Sequence, residues 1–137
     1  MREAVIVSTA RTPIGKAYRG AFNDTQAQAL GGHVIKHAVE RAKIDPQSIQ
    51  DVIMGAALQQ GSTGGNVARQ AALRAGLPTS VAGMTMDRQC ASGLMALAPT
   101  AHAILVDHTH AAIAGRPEPT SVRHPPPMHT LATPPPR

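Results

Sequence analysis

The chain has 137 residues, a hydrophobic content of 42% and a formal net charge of +5, which predicts one globular domain with one core. The basic residues are scattered, and only Tyr18 and Phe22 offer aromatic rings of the kind that stack on bases, which argues against nucleic-acid binding. The single cysteine excludes an internal disulfide, and no apolar stretch approaches the roughly 20 residues needed to span a bilayer, so we expect a cytoplasmic protein without a membrane partner.

The first part of the chain predicts a strand followed by a helix. EAVIVST (3–9) is a continuous β-branched run, typical of a strand buried on both faces. We expect a helix with Asp24 as its N-cap. Gly31 and Gly32 each cost this helix about 1 kcal/mol relative to alanine, and close packing against a sheet is the expected compensation. Its apolar stripe at helical spacing consists of Leu30, Val34, Ile35, Ala38, Val39 and Ala42.

The next segments continue the alternation of strand and helix. DVIMGAAL (51–58) and VAGMTMD (81–87) predict a second and a third strand, and HAAIAG (110–115) is a candidate fourth. Asn66 is the expected N-cap of a helix that runs through Ala75. Such alternation predicts βαβ crossovers, and therefore an α/β protein with a mainly parallel sheet and helices on its faces.

Proline content divides the chain, since nine of the twelve prolines lie at or after position 99. Inside a helix, Pro99 would lose one hydrogen bond and clash with the Met95 carbonyl, at a cost of about 3 kcal/mol or more. We therefore expect the helix that starts near Cys90 to end at Ala98, or this segment to be disrupted. Residues 123–137 contain two proline triplets, which predicts an extended or disordered tail behind a domain of residues 1–122.

Cys90, the only cysteine, follows the third predicted strand in the segment DRQCASGL. A lone free cysteine is most often an inert, buried small side chain. Here it is expected in the first turn of a helix, where unpaired N–H groups and the helix dipole favour the thiolate. The same N–H groups can donate to an oxyanion that forms on an acyl group attached to the sulfur. Packing and acyl transfer are both open on these grounds.

Four segments in order resemble the thiolases, the acyl-CoA C-acyltransferases. DRQCASGLMALA resembles their nucleophile segment, and VIVSTARTPIGKAYRG resembles their opening strand and loop. DVIMGAALQQGSTGGNVARQAALRAGLP resembles their second strand with the loop and helix behind it, and VDHTHAAIAGRPEP, more faintly, the next strand. The resemblance covers about residues 1–120, the N-terminal part of the family. It implies a thiolase-like α/β fold, here a truncated first half, and a homo-oligomer.

The resemblance also implies a role for Cys90. It would accept the acyl group of a 3-ketoacyl-CoA or acyl-CoA as a thioester, in thiolysis or Claisen condensation, with its own N–H as one oxyanion donor. Coenzyme A would enter as part of the substrate, and no bound cofactor is implied. The family's histidine in GHP, second cysteine in CxG and asparagine in NEAF have no counterpart in these 137 residues. We therefore expect negligible thiolase activity from this chain alone.

Three other interpretations compete with this one. A non-catalytic fragment would self-associate or bind a thiolase subunit through open strand edges and apolar surface. A ketosynthase-like cysteine enzyme is disfavoured by ARTPIG and GNVARQAA, which fit the thiolases better. Phosphate binding by GSTGGN, a glycine-rich loop before a helix, is disfavoured because the loop lacks the lysine of a P-loop.

The remaining polar candidates predict structure rather than chemistry. His33, in the middle of the first predicted helix, is expected to be a packed or surface residue, and Arg69 a structural or interface charge. His108 and His110 would face the same side if DHTHAA formed a strand. Together with His102, His124 and His129 they predict at most adventitious metal binding, so no metal site is expected.

Overall fold

The structure is a computed structural model that describes residues 2–122. Three helices, α1 (Ala27–Ala42), α2 (Val67–Arg74) and α3 (Ser92–Leu105), alternate with three strands, β1 (Ile49–Gly55), β2 (Ala82–Met86) and β3 (Ala111–Gly115). Single 3-10 turns lie at Pro46–Ser48, Gly61–Thr63, Gln89–Ala91 and Thr120–Val122. The predicted tail, 123–137, lies outside the described residues.

The three strands form one parallel sheet in the order β2-β1-β3. Val52 in the middle of β1 lies beside Gly83 of β2 and Ile113 of β3, and one irregularity falls between Ile49 and Asp51. The predicted parallel α/β class is therefore confirmed. Because all three strands run the same way, their carboxyl ends meet at one edge of the sheet, which is where parallel α/β proteins place their ligands.

The helices cover both faces of the sheet. Val52 and Met54 of β1 belong to the main core cluster, which α1 and α2 share. Gly55 points to the opposite face because side chains alternate along a strand, and there it meets the start of α3. The core cluster on the first face consists of Ile35, Val39, Ile49, Val52, Met54, Ala68, Ala71, Ala72, Leu77 and Val81.

Two glycines in α1 allow it to approach α2 closely. A Cβ atom at Gly31 would lie 2.9 Å from the Cβ of Ala71, and one at Gly32 would lie 2.8 Å from the Cγ of Arg74. The expected reason for these glycines was packing against a sheet. The helix α2 supplies the tightest contacts instead, while Met54 of β1 lies 3.7 Å from the same Cβ position at Gly31.

The predicted first strand, 3–9, is wrong. Residues 2–16 adopt no regular secondary structure, and Val5, Ile6 and Val7 are 65%, 74% and 70% exposed. A strand needs a neighbour to satisfy its N–H and C=O groups, and among the described residues the sheet contains only β1, β2 and β3, so this segment pairs with neither outer edge. A cavity of about 910 Å³ separates the segment from α1, α3 and β3, so the run has strand propensity without a pairing partner.

One of the two predicted N-caps is confirmed. Asn66 caps α2, since its side chain accepts the N–H of Arg69 at 3.3 Å. Asp24 does not cap α1, which begins after Gln26. The N–H of Thr25 donates to the carbonyl of Phe22 at 3.0 Å. Asp24 therefore lies inside a turn that closes before the helix begins.

The helix α3 continues through Pro99 to Leu105, so the expected end at Ala98 is wrong. Ala96 and Thr100, on either side of the proline, are buried, and α3 packs across β1 and β3. The free energy gained by burying this face of α3 offsets the cost of a proline inside the helix, since tertiary packing routinely outweighs local propensity.

None of the helices within residues 2–122 combines the length and apolar character that a membrane crossing requires.

Replacement of Pro99 with alanine should stabilise the protein. The helix regains the N–H that bonds to Met95, worth about 3 kcal/mol, while the unfolded chain gains freedom worth about 1 kcal/mol. We expect the free energy of unfolding to rise by about 2 kcal/mol in urea titrations. Pro46→Ala is the control, because Pro46 occupies the first position of a 3-10 turn, where proline is favoured. A gain no larger than that of the control would show that α3 carries no strain at Pro99.

Candidate active site

Cys90 is exposed on the turn that connects β2 to α3, at the carboxyl edge of the sheet. It lies in the 3-10 turn Gln89–Ala91, one step ahead of the α-helix in whose first turn it was expected. Gln89 adopts a left-handed backbone conformation with φ at 51°. The backbone at Gln89 is therefore not helical, and Cys90 follows it, two residues before α3 begins at Ser92.

Hydrogen bonds from two polar side chains fix the shape of this turn. The carboxylate of Asp87 accepts the N–H of Gln89 at 2.7 Å. The buried hydroxyl of Ser92 accepts the N–H of Arg88 at 2.8 Å and donates to the carbonyl of Gln89 at 2.6 Å. Side-chain bonds to local backbone of this kind hold a non-helical conformation against the alternatives. The turn that carries Cys90 is thus ordered from both of its ends.

The N–H of Cys90 comes earlier in the chain than the N–H groups whose hydrogen bonds close the turn. Ala91 donates its N–H to the carbonyl of Arg88 at 3.1 Å, and Ser92 donates to that of Gln89. A 3-10 turn leaves the N–H groups before these bonds without an intrahelical acceptor. The dipole of the 14-residue helix α3 adds partial positive charge at the same end. The N–H of Cys90 can therefore donate a hydrogen bond to the oxyanion that forms on an acyl group when the Cys90 sulfur attacks its carbonyl carbon.

Gly55 allows the start of α3 to rest on the end of β1. A Cβ atom at Gly55 would lie 2.7 Å from the Cβ of Ser92 and still closer to the Ser92 carbonyl. No side chain larger than hydrogen fits between these backbones. The absence of a side chain at Gly55 thus brings the buried hydroxyl of Ser92, and with it the Cys90 turn, directly over the strand end.

A second set of contacts joins the Cys90 turn to β3. Arg116, the residue after β3, donates from Nη1 to the carbonyl of Cys90 at 3.1 Å. Its Nε and Nη2 each lie 3.1 Å from Oε2 of Glu118. The same oxygen accepts the N–H of Ala57, just beyond β1, at 3.1 Å. Residues that follow all three strands are therefore linked in one network.

Sequence reasoning missed Arg116, Glu118 and the role of Ser92. A signal was present for the first two, because they follow directly after the predicted fourth strand. In a parallel sheet that position shares an edge with the end of the third strand, where Cys90 was placed.

The other polar candidates lie away from the Cys90 turn. Arg69 is structural, since its guanidinium donates to the carbonyls of Val81 and Thr79. His33 is on the surface of α1, with its ring 4.4 Å from that of His37.

The two histidines that were expected to share a strand face lie before the strand instead. His108 has φ at 61°, and β3 begins only at Ala111. The side chain of Arg2 contacts Nδ1 of His108 at 3.1 Å and Nδ1 of His110 at 3.2 Å. Residues 2–122 contain no cluster of three histidine, cysteine or acidic side chains with the geometry to hold a metal ion.

The fold and the turn define the class of this protein: a parallel α/β domain that presents one cysteine between a strand and a helix at its carboxyl edge. Residues 4–129 match the family model for the thiolase N-terminal domain. The chain therefore belongs to the thiolase N-terminal domain family.

Curated relatives agree with this assignment. The chain is 47% identical over 115 residues to the acetyl-CoA acetyltransferase of Escherichia coli (strain K12). It is 46% identical to the acetyl-CoA acetyltransferase of Cupriavidus necator and 41% identical to the 3-ketoacyl-CoA thiolase of Bacillus subtilis (strain 168). In each case the match covers 84% of this chain and 29% of the relative.

Substitution of Ser92 with alanine should destabilise the fold more than a matched substitution at Ser48. Both hydroxyls donate to the carbonyl three residues earlier at the end of a 3-10 turn, but Ser92 is buried and Ser48 is exposed. Loss of the buried hydroxyl leaves the N–H of Arg88 without its partner, at a cost of about 1–3 kcal/mol. Ser48→Ala should change the free energy of unfolding by less than about 0.5 kcal/mol. Equal losses for the two variants in urea titrations would contradict this account.

Proposed function

We propose that Cys90 accepts the acyl group of an acyl-CoA thioester, as the nucleophile of thiolase-type acyl transfer. The observation that carries the proposal is an exposed thiol on an ordered turn, whose closing hydrogen bonds are made by N–H groups that follow Cys90 and not by the Cys90 N–H. The names of the relatives, acetyl-CoA acetyltransferase and 3-ketoacyl-CoA thiolase, support the acyl-CoA class of substrate.

The proposed step is a thioester exchange. Sγ of Cys90 attacks the thioester carbonyl, and the Cys90 N–H donates to the oxyanion of the tetrahedral intermediate. A carbon–sulfur bond forms to Cys90 while the bond to the coenzyme A sulfur breaks. The proton lost by the Cys90 thiol ends on coenzyme A, which leaves as a thiol. The exchange conserves atoms and requires neither an oxidant nor a reductant.

The proposal covers this half-reaction and not a complete catalytic cycle. Thiolases, by the resemblance, also use a histidine in GHP and a second cysteine, and these 137 residues contain one cysteine and no GHP. Catalytic groups act as a unit, so loss of the base and its partners removes most of the rate. We therefore expect one acyl transfer for each chain, without sustained turnover.

Incubation of the purified chain with acetyl-CoA should add one acetyl group, visible as a mass increase in the intact chain, and should release one equivalent of coenzyme A. Neutral hydroxylamine should remove the label, because it cleaves a thioester but not an acetyl-lysine amide. Acetoacetyl-CoA and coenzyme A together should show no continuing thiolysis.

Cys90→Ala is the control for this measurement. It removes the sulfur at an exposed position and should abolish the hydroxylamine-sensitive label completely. A label of equal size in Cys90→Ala would place the acetyl group on another residue and refute the proposal. Sustained thiolysis that depends on Cys90 would instead refute its restriction to a half-reaction.

A second candidate, association with another chain, has its own supporting observation. Within residues 2–122 no strand pairs with the outer edge of β2, and Met84 on this strand is exposed. An unpaired strand edge that carries apolar side chains is a template for a further chain. We propose that this edge contacts a second copy or a thiolase subunit.

Size-exclusion chromatography tests the association. The wild-type chain should elute as a dimer at high concentration, or shift when mixed with the full-length acetyl-CoA acetyltransferase of Escherichia coli. Met84→Lys should weaken either complex, because a charge at a strand edge opposes pairing. Leu105→Lys, which adds the same charge at the exposed end of α3, should not. A monomer in every mixture would refute this second candidate.

A further inference from the structure

We propose that Arg116 is a positioning residue for Cys90: it fixes the Cys90 carbonyl and so holds the thiol and N–H in the arrangement that acyl transfer needs. The inference rests on the acyl-accepting role proposed above, and it adds a residue 26 positions further along the chain. Arg116 does not touch the sulfur, and it acts through the backbone of the turn.

Each of the three nitrogens of the Arg116 guanidinium contacts an oxygen. Nη1 donates to the Cys90 carbonyl, while Nε and Nη2 both point at Oε2 of Glu118, all three at 3.1 Å. The side chains of Arg116 and Glu118 are 34% and 18% exposed, so water competes with these bonds only in part. A rigid planar fork fixed by Glu118 at one end defines the position of the carbonyl at the other.

Glu118 in turn is anchored to the sheet. Its Oε2 accepts the N–H of Ala57, a buried residue just beyond the end of β1. The position of the guanidinium is therefore fixed relative to the central strand β1 as well as to the loop that carries it. Because β1 also supports Ser92 through Gly55, both ends of the Cys90 turn are held against the same strand.

The aliphatic part of Arg116 contacts the turn a second time. A Cβ atom at Gly93 would lie 3.1 Å from both Cβ and Cδ of Arg116. The stem of the arginine thus lies against the first turn of α3, three residues beyond Cys90. Contacts at Cys90 and at Gly93 together fix the side chain of Arg116 relative to the turn.

Control of the Cys90 carbonyl matters because the peptide unit is planar. When Arg116 holds this oxygen, it also holds the N–H of Ala91 and restricts rotation about the Cα–C bond of Cys90. The backbone at Cys90, and with it the direction of the Cα–Cβ bond that carries Sγ, is then held before substrate arrives. Acyl transfer depends on such alignment, whereas a small alkylating reagent can approach an exposed thiol from many directions.

Two reactions of the same thiol separate positioning from general reactivity. Cys90 is the only cysteine, so acetylation by acetyl-CoA and alkylation by iodoacetamide both report on it alone. In Arg116→Met we expect the ratio of the acetylation rate to the alkylation rate to fall about tenfold. Arg116→Lys, which keeps a donor but not the planar fork, should lie between that variant and the wild type. Because both reactions use the same thiol, a general change in its reactivity affects both rates and is reduced in the ratio.

Arg19→Met is the matched control, because it removes the same charge from an exposed position on the loop before α1. Its ratio should equal that of the wild type. The neutral N-acetylcysteamine thioester of acetate should give the same fall as acetyl-CoA in Arg116→Met. A fall seen only with acetyl-CoA would assign Arg116 to the coenzyme's phosphates and overturn the positioning role, as would an unchanged ratio.

Amide hydrogen exchange over residues 88–93 separates this inference from the proposed function. Exchange there should accelerate in Arg116→Met and stay unchanged in Arg19→Met, while α2 keeps its protection in both. If wild-type Cys90 is not acetylated, the acyl-accepting role fails, and exchange alone then decides whether Arg116 orders the turn. Unchanged exchange overturns the inference. If Arg116→Met does not fold, the same measurements on Arg116→Lys and Glu118→Gln replace it.

Discussion

The contact between Gly55, at the end of β1, and Ser92, at the start of α3, determines where Cys90 stands. Only a glycine lets these two backbones approach so closely. Once they do, the Ser92 hydroxyl is buried and bonds to Arg88 and Gln89 on the approaching side of the turn. Cys90, between these residues and the helix, is left at the surface. The buried Ser92 anchors the turn, while Cys90 and the residues on either side of it stay exposed.

The parallel arrangement of the sheet supplies the second support. Ala57, Cys90 and Arg116 each follow a different strand, and in a parallel sheet these positions share one edge. A single carboxylate, that of Glu118, can then accept from a backbone N–H beyond β1 and from a guanidinium beyond β3. Removal of either member of such a half-buried ion pair leaves the other with unmet hydrogen bonds. We therefore expect the network to respond as a unit and not additively.

Local signals predicted most of the regular structure. Short apolar runs marked β1, β2 and β3, and Asn66 marked the start of α2, because strand periodicity and capping are encoded within a few residues. The run 3–9 carries the same signal, but a strand also needs a neighbour in space, and the described residues pair no strand with it. At Pro99 the local signal predicted a helix end that does not occur, because burial of one face of α3 outweighs the local cost of the proline.

The candidate site likewise combines a residue that the local sequence predicts with one that only the tertiary structure identifies. Cys90 was predicted from its own segment, since a cysteine directly after a strand is a local pattern. Arg116 was not, because its contact with the Cys90 carbonyl spans 26 residues and depends on the path of a long side chain over Gly93.

Chain order nevertheless restricts where such a support can lie. Besides Asp87 and Ser92 on the same connection, support for a turn at the carboxyl edge can come from residues that follow a neighbouring strand, and the first charged side chain after β3 is Arg116. A group that reacts must face solvent, whereas a group that positions it must be packed. The side chain of Arg116 is 34% exposed and packs against Gly93, which fits a group that positions the exposed cysteine.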